Sequence, residues 1–319
     1  QLDFSWASVV ANTAPEKLSL MLPLDDPNLP WLGTLVGVPI LGFYFWCTNQ
    51  FVVQRVLGAR SIADARWGAL FAGFLKLPVL YIMVLPGVMA GVFLPELDNG
   101  DAVFPTLVTT LLPAGLVGLV MAGLLAAIMS SIDSTLNAAS ALLTMDFLHP
   151  EKRAWSATRV VWVGRGFIVL FMLLAASISP LIVNFPGLFH YLQSALAYLV
   201  PPVVVVFVMG LFWRRASATG AFATLLGGHL VSALLFVFSL LDLLSLHFTI
   251  VAGLSALASV LIFLFAGGIG SPPSDDQVSR FTFDSKTMER QAALAWWQDY
   301  RLYAAILVAL TIALVTVHW

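Results

Sequence analysis

The fold is decided by residues 113–143, which read PAGLVGLVMAGLLAAIMSSIDSTLNAASALL. Asp133 is the only charged residue in these 31 positions. About 20 consecutive apolar residues cross the ~30 Å hydrocarbon core of a bilayer as an α-helix. The stretch therefore predicts a membrane-spanning helix. Because it is longer than one span needs, the helix is expected to tilt or to extend beyond the bilayer.

The composition of the whole chain indicates a lipid environment. Hydrophobic residues make up 60% of the 319 positions and charged residues 10%, whereas a soluble domain carries about 25% charged residues. The net charge of −2 does not indicate nucleic-acid binding, and the single cysteine, Cys47, excludes an intramolecular disulfide. The histidines show no metal-ligand spacing, and no nucleophile–base pair or phosphate-binding loop is recognisable, so the sequence does not indicate an enzyme.

Eight apolar segments predict membrane spans, which makes the expected fold all-α, a polytopic transmembrane helical bundle. They run approximately over residues 32–53, 68–93, 113–143, 160–183, 188–212, 218–240, 248–266 and 302–317. Pro201 and Pro202 are expected to break the fifth segment, because proline lacks the backbone N–H that a helix needs. The alternative is a soluble protein with several buried helices, and the distribution of charge argues against it.

The charged residues give the orientation of the spans. All lysines and arginines except Lys17 and Lys76 lie on or close to alternate connections between the segments, and the opposite connections after the second and sixth segments hold acidic residues instead. The positive-inside rule then places residues 1–30 outside and the basic loops in the cytoplasm. We therefore expect a multi-pass protein of the plasma (inner) membrane.

Lys76 is an ionisable residue at a depth where charges are costly. It follows Arg66 by ten residues, which places it about 15 Å into the second span at the rise of an α-helix. An ammonium at this depth has to face protein, water or a polar ligand, and its three N–H donors suit a hydroxyl-rich solute. A structural lysine paired with a buried acid or with carbonyl groups is an equal alternative.

A polar strip follows one face of the third span. Ser130, Asp133, Ser134 and Asn137 are spaced i, i+3, i+4 and i+7, and Ser131 lies beside them. Oxygen ligands of this kind suit a hard cation, and Asp133 adds a full negative charge. The alternative is that these side chains form hydrogen bonds between membrane helices.

Four sequence blocks together resemble the solute:sodium symporter family, and within it the sodium/glucose cotransporter-like branch. The blocks are WCTNQFVVQR at 46–55; FLKLP at 74–78 with MVLPG at 83–87; AAIMSS at 126–131 with LN at 136–137 and TMD at 144–146; and YLQS at 191–194 with PP at 201–202 and FWRR at 212–215. They occur in the order of the family on successive predicted helices.

The resemblance implies the second half of an inverted-repeat (LeuT-like) transporter fold with accessory helices. The implied parts are an extracellular loop at 1–30, the second five-helix repeat at 31–215, two accessory transmembrane helices at 216–269, a cytoplasmic linker at 270–297 and a last transmembrane helix at 298–319. The first repeat is expected to belong to a missing N-terminal half of the same transporter.

The resemblance also implies the functional residues. For the sodium ion these are the Ala127 carbonyl with Ser130 and Ser131, and Asp133 and Ser134 are candidates for an additional ion or coupling site. For the solute they are Phe45, Trp46, Lys76 and Gln193. Phe45 replaces a tyrosine that is frequent in sugar carriers, and Gly42, Asn49 and Asp133 also depart from the family pattern.

The predicted function is sodium-coupled symport of a sugar or a related polyhydroxy solute across the bilayer by alternating access. The departures from the family pattern leave open an inositol, a sugar acid or another organic solute. A symporter-like sensor domain and a helical scaffold without transport are the alternatives from other classes.

Overall fold

The computed structural model describes residues 6–26, 29–94, 100–180, 187–283 and 296–317, and these residues form helices without any β-strand. The predicted all-α fold is thereby confirmed. The α-helices of the described residues are α1 (Trp6–Asn12), α2 (Trp31–Phe43), α3 (Gln50–Leu57), α4 (Ile62–Lys76), α5 (Leu85–Phe93), α6 (Val103–Leu111), α7 (Ala114–Ala141), α8 (Ala157–Ile178), α9 (Leu188–Leu199), α10 (Pro201–Phe212), α11 (Ala218–Leu240), α12 (Phe248–Ile269), α13 (Asp275–Phe281) and α14 (Tyr300–Val317). Three π-helical segments, Tyr44–Thr48, Leu80–Val84 and Leu142–Phe147, extend or join them.

The candidate membrane spans correspond one to one with the eight predicted segments. Seven helical stretches of the described residues are long and apolar enough to cross a bilayer, namely Trp31–Thr48, Ile62–Val92, Ala114–Phe147, Ala157–Ile178, Ala218–Leu240, Phe248–Ile269 and Tyr300–Val317. The remaining predicted segment, 188–212, corresponds to the pair α9 and α10, which bends by 51° at Val200 and meets the same criteria only when the two helices are taken together, as a broken span or a re-entrant loop. The break predicted from Pro201 and Pro202 is therefore confirmed, and Pro201 is the first residue of α10, where a missing N–H costs nothing.

The C-terminal boundary of the first predicted segment, residues 32–53, was wrong. The span stops at Thr48, because Asn49 is extended and starts a separate helix, α3. Its side-chain oxygen accepts a hydrogen bond from the Phe51 backbone N–H at 3.2 Å, which satisfies one of the free donors at the start of α3. Asn49 is thus a helix N-cap.

The chain divides into two compact units. Of the described residues, the first contains 85–94, 100–180 and 187–191, and the second contains 6–26, 29–84, 192–283 and 296–317. In the first unit α7 packs against α8, and the Ser140 hydroxyl donates to the Gly164 carbonyl at 2.8 Å. A Cβ on Gly164 would lie 3.3 Å from that hydroxyl oxygen, so the small residue permits the close approach of these two helices.

The core of the second unit lies where α2, α10 and α12 meet the end of α9. Its buried apolar side chains are those of Leu41, Ala197, Val200, Val204, Phe248 and Ala252. Small residues allow the helices to pack at backbone distance: a Cβ on Gly37 would collide with the backbone of Thr249. Lipid is as apolar as these side chains, so close packing and hydrogen bonds stabilise such contacts more than the hydrophobic effect does.

A seam of small and hydroxyl residues joins α11 to α12 within the second unit. The buried hydroxyls of Ser232 and Ser255 are hydrogen-bonded at 2.5 Å. Gly228 faces Ser259, and the two prolines that start α10 are fully buried beside this seam. The seam therefore fixes α11 next to the break between α9 and α10.

Candidate functional site

The π-helical segment after α2 presents two aromatic rings. Its wider turn is closed by the Asn49 backbone N–H, which donates to the Tyr44 carbonyl five residues earlier at 2.8 Å. Phe45 and Trp46 are 39% and 40% exposed, and their ring centroids lie 5.5 Å apart at an interplanar angle of 85°. The rings thus offer two nearly perpendicular apolar surfaces.

Lys76 meets these rings from a second helix. It is the last residue of α4, and its exposed ammonium nitrogen lies 5.9 Å from the centroid of the Trp46 ring. A cation at this distance over the face of an indole is attracted by the ring quadrupole. The structure therefore brings together Lys76 and Trp46, which are 30 residues apart in the sequence.

Gln193 shares a helix face with residues that pack near the same aromatic segment. It precedes Leu196 and Ala197 by three and four residues on α9, and these two belong to the core around Leu41 and Tyr44. Residues at this spacing lie on one side of a helix. Gln193 is half-buried and occupies the next turn of that face.

The predicted ion residues lie on α7 in the first unit. Ala127, Ser130 and Ser131 have the spacing i, i+3 and i+4, so they share one face of a regular helix, and all three are exposed. The predicted solute residues lie in the second unit.

The carbonyl oxygens of the two serines already accept hydroxyl groups. Ser134 donates to the Ser130 carbonyl and Thr135 donates to the Ser131 carbonyl, each at 2.8 Å. Both carbonyls also belong to the helical ladder. The hydroxyl oxygens of Ser130 and Ser131 are consequently better placed to hold a cation than their carbonyls.

Asp133 is the only acid on α7. Its side chain is exposed, and it forms no ion pair with any residue that the structure describes. It lies one turn from Ser130 and Asn137 on the polar side of the helix. Ser130 and Asn137 are exposed like Asp133, and Ser134 is half-buried.

One polar residue of the second unit was not among the candidates predicted from the sequence. His229 lies at the middle of the 23-residue helix α11, and its ring contacts two backbone carbonyls. The spacing of the histidines, which excludes a shared metal site, gives no indication of this contact. The signal was an ionisable side chain at the midpoint of a span that otherwise carries no charge.

The long apolar helices define the class, which is that of multi-pass α-helical membrane proteins. The chain belongs to the sodium:solute symporter family, whose model matches residues 6–228. The family resemblance inferred from the sequence blocks is therefore confirmed, over a longer stretch than the blocks cover.

The chain is also similar to several sodium/myo-inositol cotransporters. It is 33% identical to sodium/myo-inositol cotransporter 2 of Homo sapiens over 317 residues, which covers 86% of this chain and 47% of that protein. It is 37% identical to sodium/myo-inositol cotransporter 2 of Rattus norvegicus over 251 residues, 70% of this chain and 37% of that protein. It is 31% identical to the sodium/myo-inositol cotransporter of Mus musculus over 302 residues, 84% of this chain and 42% of that protein. The chain thus spans less than half the length of these relatives.

Proposed function

We propose that this chain is part of a sodium-coupled symporter that carries a polyhydroxy solute, an inositol or a sugar, across the plasma membrane by alternating access. Membership of the sodium:solute symporter family supports sodium coupling. The similarity to sodium/myo-inositol cotransporters supports a cyclic polyol as cargo. A transporter, and not an enzyme, is the function that these likenesses favour.

The observation that carries the proposal is the position of the Lys76 ammonium over the Trp46 ring. A cyclic polyol has an apolar face of C–H groups and a rim of hydroxyls. The exposed rings of Phe45 and Trp46 suit the face, and the ammonium can donate up to three hydrogen bonds to the rim. Gln193, which has both donor and acceptor atoms, completes the proposed solute set.

The proposed sodium site uses the Ala127 carbonyl with the hydroxyls of Ser130 and Ser131. Oxygen atoms are the ligands that hard cations prefer. Asp133 and Ser134 on the same side of α7 are proposed to serve a further ion or the coupling. The remaining ligands are proposed to come from an N-terminal half that contains the first repeat.

The chain is proposed to contribute the second half of the inverted-repeat fold. In this arrangement residues 31–215 form the second five-helix repeat, residues 216–269 the two accessory helices and residues 298–319 the last span. Residues 1–30 lie outside and the linker 270–297 in the cytoplasm, as the positive-inside rule favours.

Uptake by the full-length protein in proteoliposomes tests this function. Labelled myo-inositol and labelled hexoses are supplied under an inward sodium gradient or an equal potassium gradient, with protein-free liposomes as control. We expect saturable uptake of at least one solute only with sodium. Its half-saturating concentration should fall as sodium rises, by about 5- to 150-fold if the coupling is of ordinary size. Equal uptake with potassium would refute the coupling, and sodium-dependent binding without uptake would instead indicate a sensor.

A further inference from the structure

His229 links α11 to the break between α9 and α10. Its Nε2 atom lies 3.1 Å from the Leu199 carbonyl oxygen, and its Nδ1 atom lies 2.6 Å from the Leu225 carbonyl oxygen on its own helix. Leu199 is the last residue of α9. One side chain therefore bridges a helix end and a neighbouring span.

The break creates the need for such a donor. The last four carbonyl groups of any helix lack an intrahelical partner, and Pro201 and Pro202 remove two N–H groups that would otherwise continue the ladder. In a membrane, water is not at hand to satisfy these carbonyls, so another helix has to do so. The Nε2 atom of His229 stands at one of them.

The partners of the ring limit the hydrogen bonds that it can make. Both are carbonyl oxygens, which only accept hydrogen bonds. A neutral imidazole carries one N–H and donates to one of them, whereas the ring with both nitrogens protonated donates to both. The bond to the break therefore forms in the Nε2–H tautomer and in the doubly protonated ring, whereas the Nδ1–H tautomer donates only to Leu225. No acidic or basic side chain other than His229 occurs on α10, α11 or α12.

The angle at the break sets the position of Gln193. Gln193 lies seven residues before Val200, which is about 10 Å along the helix at 1.5 Å per residue. A change of about 10° in the bend would then displace Gln193 by nearly 2 Å, because the displacement is the product of that lever and the angle. Hydrogen bonds to a solute do not tolerate such a displacement.

We propose that His229 is a positioning residue: its Nε2–H bond to the Leu199 carbonyl holds the break at a fixed angle and so presents Gln193 to the transported polyol. The role of Gln193 rests on the function proposed above. The hydrogen bond at the break does not, because it is a property of the second unit alone.

Two amide substitutions separate the contacts of the ring. The amide nitrogen of glutamine can occupy the place of Nε2, so His229→Gln can keep the bond to Leu199. The shorter amide of asparagine reaches only the place of Nδ1, so His229→Asn keeps only the bond to Leu225. His229→Leu fills similar space without a donor and shows whether volume alone is sufficient.

The test measures two properties of these variants in the full-length protein. Hydrogen exchange of the backbone amides at residues 193–200, without solute, should be faster in the Asn and Leu variants and unchanged in the Gln variant. The half-saturating solute concentration in sodium-driven uptake should rise about fivefold in Asn and Leu, the size expected for one ordinary hydrogen bond, and remain near wild type in Gln.

The outcomes distinguish this proposal from the transport function. Wild-type amide exchange in His229→Asn would overturn the proposal. So would wild-type amide exchange together with a wild-type half-saturating concentration in His229→Leu. Faster amide exchange in the Asn and Leu variants with an unchanged half-saturating solute concentration would overturn the proposal that His229 positions Gln193. If the wild type takes up no polyol with sodium, the transport function fails, and the exchange measurement still decides whether His229 holds the break.

Discussion

Two adjacent glycines on α11 allow the packing of the second unit to be tested with one substitution each. A Cβ on Gly228 would lie 2.6 Å from the Ser259 hydroxyl oxygen and 2.9 and 3.0 Å from two ring carbons of Pro202. Carbon atoms pack best at about 3.5–4.0 Å, so Gly228→Ala forces α11 away from the rigid proline ring by roughly 0.5–1.1 Å. Overpacking of this kind costs about 1–3 kcal/mol.

Gly227→Ala is the matched control. Its Cβ would first meet a terminal methyl group of Ile262 at 3.2 Å, and that methyl can rotate away. Both substitutions gain the same helix propensity, up to about 1 kcal/mol, so the difference between them isolates the packing at Gly228. We expect Gly228→Ala to unfold several degrees below Gly227→Ala.

Thermal unfolding of the full-length protein in detergent, followed by near-ultraviolet circular dichroism and by the fraction that remains monodisperse, measures this difference. Equal melting of the two variants would refute the close approach of α11 to Pro202. The displacement should also lengthen the contact between His229 and Leu199, so faster amide exchange at residues 193–200 is expected in Gly228→Ala and not in Gly227→Ala.

Two further predictions concern the proposed ligand sites. Lys76→Met removes the N–H donors and keeps most of the aliphatic side chain. The half-saturating solute concentration should therefore rise about 10- to 150-fold, which corresponds to the loss of one charge-assisted hydrogen bond. The control Lys152→Met, in a loop, should leave this concentration unchanged. A wild-type value in Lys76→Met would remove Lys76 from the solute site. Ser130→Ala combined with Ser131→Ala should raise the half-saturating sodium concentration about tenfold or more, whereas Ser177→Ala on α8 should leave it unchanged. Unaltered sodium dependence of uptake in the double variant would show that the ion binds elsewhere.

Hydropathy was sufficient to predict the spans because lipid imposes a simple rule. A backbone in hydrocarbon has to satisfy its own hydrogen bonds, so each long apolar segment becomes a helix of membrane length. The helix break in the fifth segment could be predicted from the same requirement for backbone hydrogen bonds. Pro201 and Pro202 cannot donate, and the bend of 51° lies immediately before them.

The ends of the spans depend on single residues and were harder to predict. Asn49 stops the first span through one side-chain hydrogen bond, which average hydropathy does not detect. The short helix α6 lies in a connection that the sequence presented only as an acidic loop. Six of its nine residues are apolar, but nine residues are too few to register as a span.

The candidate sites also include features that the sequence predicts and contacts that it does not. The strip on α7 could be predicted because its members share one helix, and spacing alone places them on one face. The contact between Lys76 and Trp46 depends on how α4 lies against the end of α2, which spacing does not give. His229 was overlooked because its partners are backbone carbonyls, and every residue has a carbonyl.

The proposed solute and ion residues differ in the backbone that carries them, and this difference has a chemical consequence. Trp46 lies in a π-helical segment, Lys76 ends α4, and Gln193 lies two turns before the break. Such irregular points position side chains where a straight helix would not place them. The serines of α7 lie in a regular helix, and hydroxyl groups already occupy the carbonyls of Ser130 and Ser131. The backbone there has little left to offer a cation, so the loss of both serine hydroxyls should not be compensated by the carbonyls behind them.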